Sequence, residues 1–372
     1  MKSYICAIGT ANPPNKIPQM QVAEFMATAL QMDEQESRKL KAIYRVSGIE
    51  HRYSVLDDYT KQNGEFLFYP NTPTLEPFPT VEKRMDVYRE YAVQLAEEAI
   101  QNCLSKATVL AREITHLITI SCTGMYAPGL DIELVERLQL PSNVQRTAVN
   151  FMGCYAAFNG IKLADAICKA NKQANVLLVC TELCTIHFQK KTEQDHLISN
   201  AIFGDGAAAV LMQGQPSGQL SLELQSFHCD LAPAGKEDMA WHIGDTGFEM
   251  TLSSYVPDLI KSGIRSLTNK LLKGLQTSIS EIKLYAIHPG GRRILEAIEA
   301  ELGLTREDNR FAYQVLRDFG NMSSATVLFV LQELMQSLTP HEKDESVLSF
   351  AFGPGLTLES MLLKVRYAGE TI

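Results

Sequence analysis

The sequence predicts an α/β fold assembled from two similar halves, and three observations carry that prediction. Apolar stretches of strand length alternate with segments of helical periodicity along the chain. The same alternation resumes after one polar interruption rich in Gly and Pro, Gln213-Gly214-Gln215-Pro216-Ser217-Gly218. The 372 residues exceed what one ordinary domain needs and suit one large domain or two fused half-size ones. In chain order, Met1 to Gly9 has one charge and too short an apolar stretch before Asn12-Pro13-Pro14 for a secretory signal, so it reads as a first strand. Tyr88, Ala92, Leu95 and Ala99 recur on one helical face, and His116 to Ser121 follows as a short buried strand. A strand near Val144 to Val149 feeds a helix from about Ala156 to Ala170, and strands follow at Asn175 to Cys180 and Ala207 to Met212. Beyond the interruption come an alternating strand from Leu220 to Leu224, a helix through Leu259 to Leu272, a strand from Lys283 to Ile287 and a helix from Arg292 to Leu302. A helix from Ser323 to Ser337 and strands at Ser346 to Phe350 and Thr357 to Leu363 close the chain. The division is placed so that residues 1–214 form one half and 215–372 the other, a duplicated α/β unit.

Composition narrows the function. Apolar residues at 45 % and charged residues at 21 % exclude a disordered chain, and no apolar run approaches the roughly 20 residues of a membrane span. Thirty-four Lys and Arg against 43 Asp and Glu leave a net charge of −9, which disfavours a nucleic-acid binder working by counterion release. Eight cysteines without a signal indicate reduced thiols in a cytoplasm rather than a disulfide framework.

Three residue types at three junctions carry the chemistry. Cys154, in Phe151-Met152-Gly153-Cys154-Tyr155-Ala156, lies where a strand gives way to a helix whose first turn holds small residues. A thiol there is near the positive end of the helix dipole, which favours the thiolate nucleophile. His288 ends its strand and meets Pro289-Gly290-Gly291, so its imidazole leaves the sheet where open α/β sheets bind ligands. Asn321, in Gly320-Asn321-Met322-Ser323, precedes a helix, where Asn is also an ordinary N-cap. The three together point to covalent catalysis more strongly than any one alone. A papain-like protease has the same chain order of Cys, His and Asn. It places its cysteine near a mature N-terminus behind an upstream Cys that is absent here, and is rejected. Cys180, Cys184 and His187 form a Cys-x3-Cys-x2-His cluster, but no second ligand pair sits at finger spacing, so no metal site is expected.

These junctions, with Phe203-Gly204-Asp205-Gly206-Ala207-Ala208-Ala209 and Phe352-Gly353-Pro354-Gly355, resemble in order and spacing the motif series of type III polyketide synthases, the chalcone synthase-like enzymes. The resemblance covers almost the whole chain. It implies a thiolase fold, two duplicated α/β halves in a five-layer αβαβα sandwich, and a homodimer. It implies that Cys154 is acylated by an acyl-CoA starter, with His288 keeping it a thiolate. His288 and Asn321 then stabilise the enolate from malonyl-CoA as oxyanion donors, with CoA thioesters as substrates and no metal or permanently bound cofactor. Phe203 matches the gatekeeping phenylalanine between CoA tunnel and cavity, Gly290 and Arg293 could line that tunnel, and Ser323, Gly353 and Pro354 belong to motifs beside the substrate. For the CoA phosphates the candidate is the basic stretch Arg38, Lys39, Lys41, Arg45 and Arg52, with Lys39 and Arg45 preferred. Ala42 and Val46 stand where the plant enzymes have basic residues.

Other positions also depart from the plant pattern. Met250 replaces a second gatekeeping phenylalanine, Trp241 a cavity glycine, Ala127 a methionine that crosses the dimer interface, and Cys122 and His187 two cavity threonines. The lining resembles bacterial members that extend fatty acyl-CoA to alkylpyrones or alkylresorcinols, or that use malonyl-CoA alone to make tetrahydroxynaphthalene. The expectation is an aliphatic starter and two or three extensions. The rivals are a β-ketoacyl carrier-protein synthase III, which condenses once, and a non-catalytic thiolase-fold scaffold.

Overall fold

The computed structural model describes residues 2–232, 235–253, 256–273 and 277–368. The first strand, β1 (Tyr4–Ala11), is followed by a layer that the sequence patterns did not reveal: β2 (Asn15–Pro18), α1 (Gln19–Ala29), α2 (Glu34–Val46) and β3 (His51–Ser54). Asp33 and Glu36 form a reciprocal capping box at the start of α2. Then come α3 (Val81–Leu104), β4 (His116–Ser121), α4 (Leu130–Arg137), β5 (Gln145–Asn150), α5 (Ala156–Ala170), β6 (Asn175–Leu183), α6 (Gln194–Ile202) and β7 (Asp205–Gln213). The later part holds β8 (Leu220–Leu231), a hairpin of β9 (Met239–Gly244) and β10 (Gly247–Leu252), α7 (Val256–Lys273), β11 (Leu284–Ile287), α8 (Arg292–Leu302) and α9 (Arg310–Phe319). It closes with α10 (Thr326–Ser337), β12 (Ser346–Gly353) and β13 (Thr357–Tyr367). The helix expected from Ser323 begins instead with a separate 3-10 turn at Ser323–Ala325, because Ser323 has a φ of +48° that α-helical geometry excludes. β6 and β8 run three and seven residues past the expected strand ends, where pairing with β7 and β13 continues although the apolar pattern has faded.

The duplication is visible in the sheet. Its order is β11-β12-β13-β8-β1-β7-β6-β4-β5. Outward from the central β1–β8 pair, each half presents a first strand, an antiparallel neighbour (β7 or β13), another antiparallel neighbour (β6 or β12) and then a parallel one (β4 or β11). β5 extends the first half alone. The strands are buried on both faces: in β7, Ala208, Val210 and Met212 join one core and Ala207, Ala209 and Leu211 the other. α3 packs on β1, β6 and β7 from outside, while α7 covers β8 and β13. Between them, α5 touches β4, β6 and β13, and α10 touches β1, β7 and β11. α10 is apolar nearly all round, Val327 to Leu331 being buried without a break, as a helix enclosed by two strand layers must be. This is the helix, strand, helix, strand, helix layering that the resemblance implies.

Candidate active site

Cys154, His288 and Asn321 arrive from three different junctions and are all interior, each at most 5 % exposed. After β5 the chain turns through Phe151 (φ +59°) and Gly153 (φ +79°) into a 3-10 turn, Gly153–Tyr155, which hands Cys154 to the start of α5. A Cβ on Gly153 would lie 2.1 Å from Pro354 Cδ, so backbone conformation and space both demand glycine there. Gly153→Ala is expected to cost about 2–4 kcal/mol from left-handed strain and overpacking, read as a lower midpoint in chemical denaturation. An unchanged midpoint would show that the turn is free to re-form around a methyl group.

Asn321 follows α9, and its backbone pairs with Phe203. Phe203 and Asn321 form a parallel bridge, Asn321 N–H donating to Ile202 O (2.8 Å) and Gly204 N–H to Asn321 O (2.9 Å). Its Oδ1 accepts from Ser323 N–H (2.8 Å) and Thr326 Oγ1 (3.3 Å), which fixes the amide so that Nδ2 donates to Gly290 O (3.3 Å) and lies 3.9 Å from Cys154 Sγ. His288 directly follows β11, with its backbone N–H on Phe350 O. Neither Nδ1 nor Nε2 of this buried imidazole has a hydrogen-bond partner among the described residues. Buried polar groups are ordinarily satisfied, so such an imidazole is poised for a ligand.

Burial pushes the Cys154 thiol up to about 12 and the His288 imidazole down to about 3. Desolvation in a site this deep opposes the thiolate that the helix start favours.

Near Cys154 lies Glu182, which the sequence patterns missed. It is fully buried at the end of β6 and accepts from Cys122 N–H (3.0 Å), Thr123 Oγ1 (2.8 Å) and Ser324 Oγ (2.5 Å). Burial raises its pKa against those donors. It ties the loop after β4 to the turn that carries Asn321. An acid inside Val179-Cys180-Thr181-Glu182-Leu183 was the available signal, since an unpaired charge at a buried strand end requires a network.

Phe203, His187, Trp241 and Met250 converge on one cavity, with Cys184 and Phe248 also in its wall. Trp241 Nε1–H donates to Cys122 O (2.8 Å). The His187 ring stacks on Phe248 (4.2 Å, 9°), with Nε2 on Thr123 O (2.7 Å) and Nδ1 accepting from Phe248 N–H (3.0 Å). Burial holds that ring neutral, at about 3, and with both nitrogens engaged it cannot serve a Cys180–Cys184–His187 metal cluster. Cys122 Sγ accepts from Gly153 N–H (2.9 Å), so its thiol braces the nucleophile turn. Gly353 and Pro354 lie against the same turn. Ala127 is exposed on the single chain, away from this cavity.

A second cavity, about 980 Å³ and mainly apolar, begins at Gly290 and Gly291 just beyond His288. Arg293, Ile43, Val46 and Ile202 are among its walls. Arg45 lies in a neighbouring groove, and Lys39 on the exposed face of α2 lines neither. The basic stretch is divided in space. Arg38 pairs with Glu34, Lys41 with Glu24, and Arg52, only 4 % exposed, gives Nη1 to the carbonyls of Asn200 (2.8 Å) and Phe203 (2.7 Å). Arg52 is therefore no surface phosphate receiver. It holds the segment that carries Phe203, because the strand β3 turns its side chain inward.

Residues 1–216 match the family of chalcone and stilbene synthases in its N-terminal domain, and residues 223–366 match the C-terminal domain. The chain belongs to this family and is a type III polyketide synthase, a CoA-dependent condensing acyltransferase with the thiolase fold. It is 30 % identical over 368 residues to the α-pyrone synthesis polyketide synthase-like Pks18 of Mycobacterium tuberculosis, an alignment covering 98 % of this chain and 91 % of that one. Two solved structures superpose with a TM-score of 0.90. One is the C-terminal type III domain of Steely1, a type I/III hybrid from Dictyostelium (27 % identical, 98 % and 99 % of the two chains). The other is a polyketide synthase of the brown alga Ectocarpus siliculosus (29 % identical, 98 % of each).

Proposed function

We propose that the protein loads an aliphatic or fatty acyl group from acyl-CoA onto Cys154, extends it two or three times with malonyl-CoA and cyclises the chain to a pyrone or resorcinol-type product. The observation that carries this reading is the buried His288 imidazole, neither of whose nitrogens has a partner among the described residues, together with an Asn321 amide whose orientation is fixed. In loading, the Cys154 proton passes to His288 as Sγ bonds the acyl carbon and the CoA thiolate leaves, taking a proton. In extension, His288 and Asn321 donate to the thioester oxygen of malonyl-CoA while the carboxylate departs as CO2. The resulting enolate attacks the Cys154 thioester. Phe203 at the gate gives the departing carboxylate an apolar face.

Support for an aliphatic starter comes from the narrow inner cavity, where Trp241 and the stacked His187–Phe248 pair leave little room for a bulky ring. Trp241→Ala is expected to open this wall and shift the main product by at least one further extension. Liquid chromatography with mass detection reads that shift, and an unchanged product length would remove Trp241 as the limit. For CoA we keep Gly290 and Arg293 at the tunnel, with Lys39 and Arg45 on α2. Residues 1–214 and 215–372 remain our division of the halves. We infer a homodimer, supported by the outer strand β5, whose residues are exposed save Val149 and whose free edge a second copy would cover; light scattering tests it. Eight unpaired cysteines and CoA substrates suit a cytoplasmic enzyme, and no described helix is long and apolar enough to cross a membrane.

The deciding experiment is mass spectrometry of products from malonyl-CoA with and without a panel of acyl-CoA starters. Pyrones or resorcinols from aliphatic starters support the reading. Product from malonyl-CoA alone indicates the tetrahydroxynaphthalene type, and product only with a carrier protein and a single condensation indicates the β-ketoacyl synthase III type. Good turnover of a phenylpropanoid-CoA with none of an aliphatic one sinks the aliphatic starter.

A further inference from the structure

The mouth of the second cavity shares a rim with a groove of about 1270 Å³ that the reaction at Cys154 leaves unexplained. Arg292 lines both, and its side-chain stem lies over Gly48, where an added Cβ would meet it at 3.4 Å. Arg45 from the end of α2, Arg306 before α9, and Arg310 and Arg317 on α9 complete a set of five exposed arginines. Three of them have carboxylate neighbours: Arg292 with Glu296 (2.7 Å), Arg310 with Glu307 (3.6 Å) and Arg317 with Asp318 (2.7 Å). Arg45 has no ion pair among the described residues, and Arg306 lies 4.4 Å from the centre of the Tyr313 ring. Glu50 and Glu307 are the acids in the lining itself. Exposed ion pairs of this kind contribute little and exchange readily for a partner's carboxylates. The chain as a whole carries −9, so this concentration of arginine runs against its general character. At the cavity's lip stands Val46, 66 % exposed, with Arg45 beside it in sequence. An exposed aliphatic side chain next to a broad field of arginine, spread over three elements, is the make-up of a protein-docking face rather than of a compact phosphate seat.

We propose that this groove docks an acidic carrier protein that presents its acyl group on a phosphopantetheine arm, the arm entering the apolar cavity toward Cys154. The proposal rests on the reading that Cys154 is acylated from a thioester. The transfer is a thioester exchange: Cys154 Sγ bonds the acyl carbon, the bond to the arm's sulfur breaks, and the arm leaves as a thiol with the proton that Cys154 gave up. The arm is chemically the lower part of CoA, so one cavity serves both donors. What differs is the body left outside the mouth, and the groove fits an acidic protein there.

The test offers octanoyl groups on CoA and on the acidic acyl carrier protein of a bacterial fatty-acid synthase. Acylation of Cys154 is timed by intact-protein mass spectrometry. The proteins are the unmodified enzyme, Arg306→Ala/Arg310→Ala, and Arg306→Glu/Arg310→Glu. We expect carrier-borne octanoyl to load the unmodified enzyme and to slow about tenfold between about 50 and about 300 mM NaCl. The Ala pair should lose part of that rate and the Glu pair about tenfold or more, while loading from CoA stays within about twofold. The salt dependence stands even if a variant fails to fold. Loading from CoA without any from the carrier overturns the proposal. So does a parallel loss from both donors, which would make the groove the seat of the CoA phosphates. Absence of acylation from either donor instead overturns the reading of Cys154 on which the proposal rests.

Discussion

Cys154→Ala is expected to give no acyl adduct with any acyl-CoA and to lower product formation by about 10⁴-fold or more, since removing the nucleophile of a covalent mechanism removes the intermediate itself. The site makes this a sharp test because Cys154 is not the only thiol nearby. Cys184 lies in the wall of the inner cavity, and Cys122 touches the turn that carries Cys154. Only Cys154 combines placement at the start of α5 with the Asn321 amide at 3.9 Å. Peptide mapping after incubation with acyl-CoA should place the label on Cys154. Cys184→Ala should load normally, whereas Cys122→Ala should load more slowly because it removes the acceptor of the Gly153 N–H. A label on Cys184, or loading that survives in Cys154→Ala, would move the nucleophile elsewhere.

The second large effect is expected at the oxyanion donors. His288→Ala and Asn321→Ala should each slow malonyl-CoA decarboxylation by about 10²–10³-fold, the usual loss when one donor is removed from such a site. They should differ in stability. His288 makes no side-chain hydrogen bond among the described residues, whereas Asn321→Ala strands the Ser323 N–H in a buried place, at about 1–3 kcal/mol. Decarboxylation measured in Cys154→Ala, free of thiol titration, should also be flat with pH. Burial holds the His288 pKa at about 3, so the imidazole stays neutral, and keeps one N–H to donate, from about pH 8 down to about pH 5. A step in rate near pH 6–7 would show an imidazole titrating as if solvated, and would overturn the neutral-donor assignment.

Some of this was legible in the chain. His116 to Ser121, Ala156 to Ala170 and Arg292 to Leu302 are elements whose limits follow from apolar periodicity and flanking Gly or Pro, because local pattern and tertiary environment agree there. Cys154, His288 and Asn321 stood out because each lies within two residues of a glycine at a change of element. The layer from β2 to β3 was not legible, since α2 is strongly charged and buries only Leu40 and Tyr44, leaving a thin apolar stripe. Arg52 was misjudged for a related reason: charge in a sequence reads as surface, and only the fold turns that side chain inward to the Phe203 carbonyl.

The sequence by itself determined the alternation of elements and their duplication, and it singled out the three side chains proposed to react, because periodicity, glycine placement and residue chemistry are local properties written in neighbouring positions. The tertiary structure alone decided the protonation states, the tie between Phe203 and Asn321, the buried Glu182 network and the arginine groove beside the cavity mouth. Each of those depends on burial and on contacts between residues up to hundreds of positions apart, and neither desolvation nor long-range proximity leaves a periodic trace in the chain.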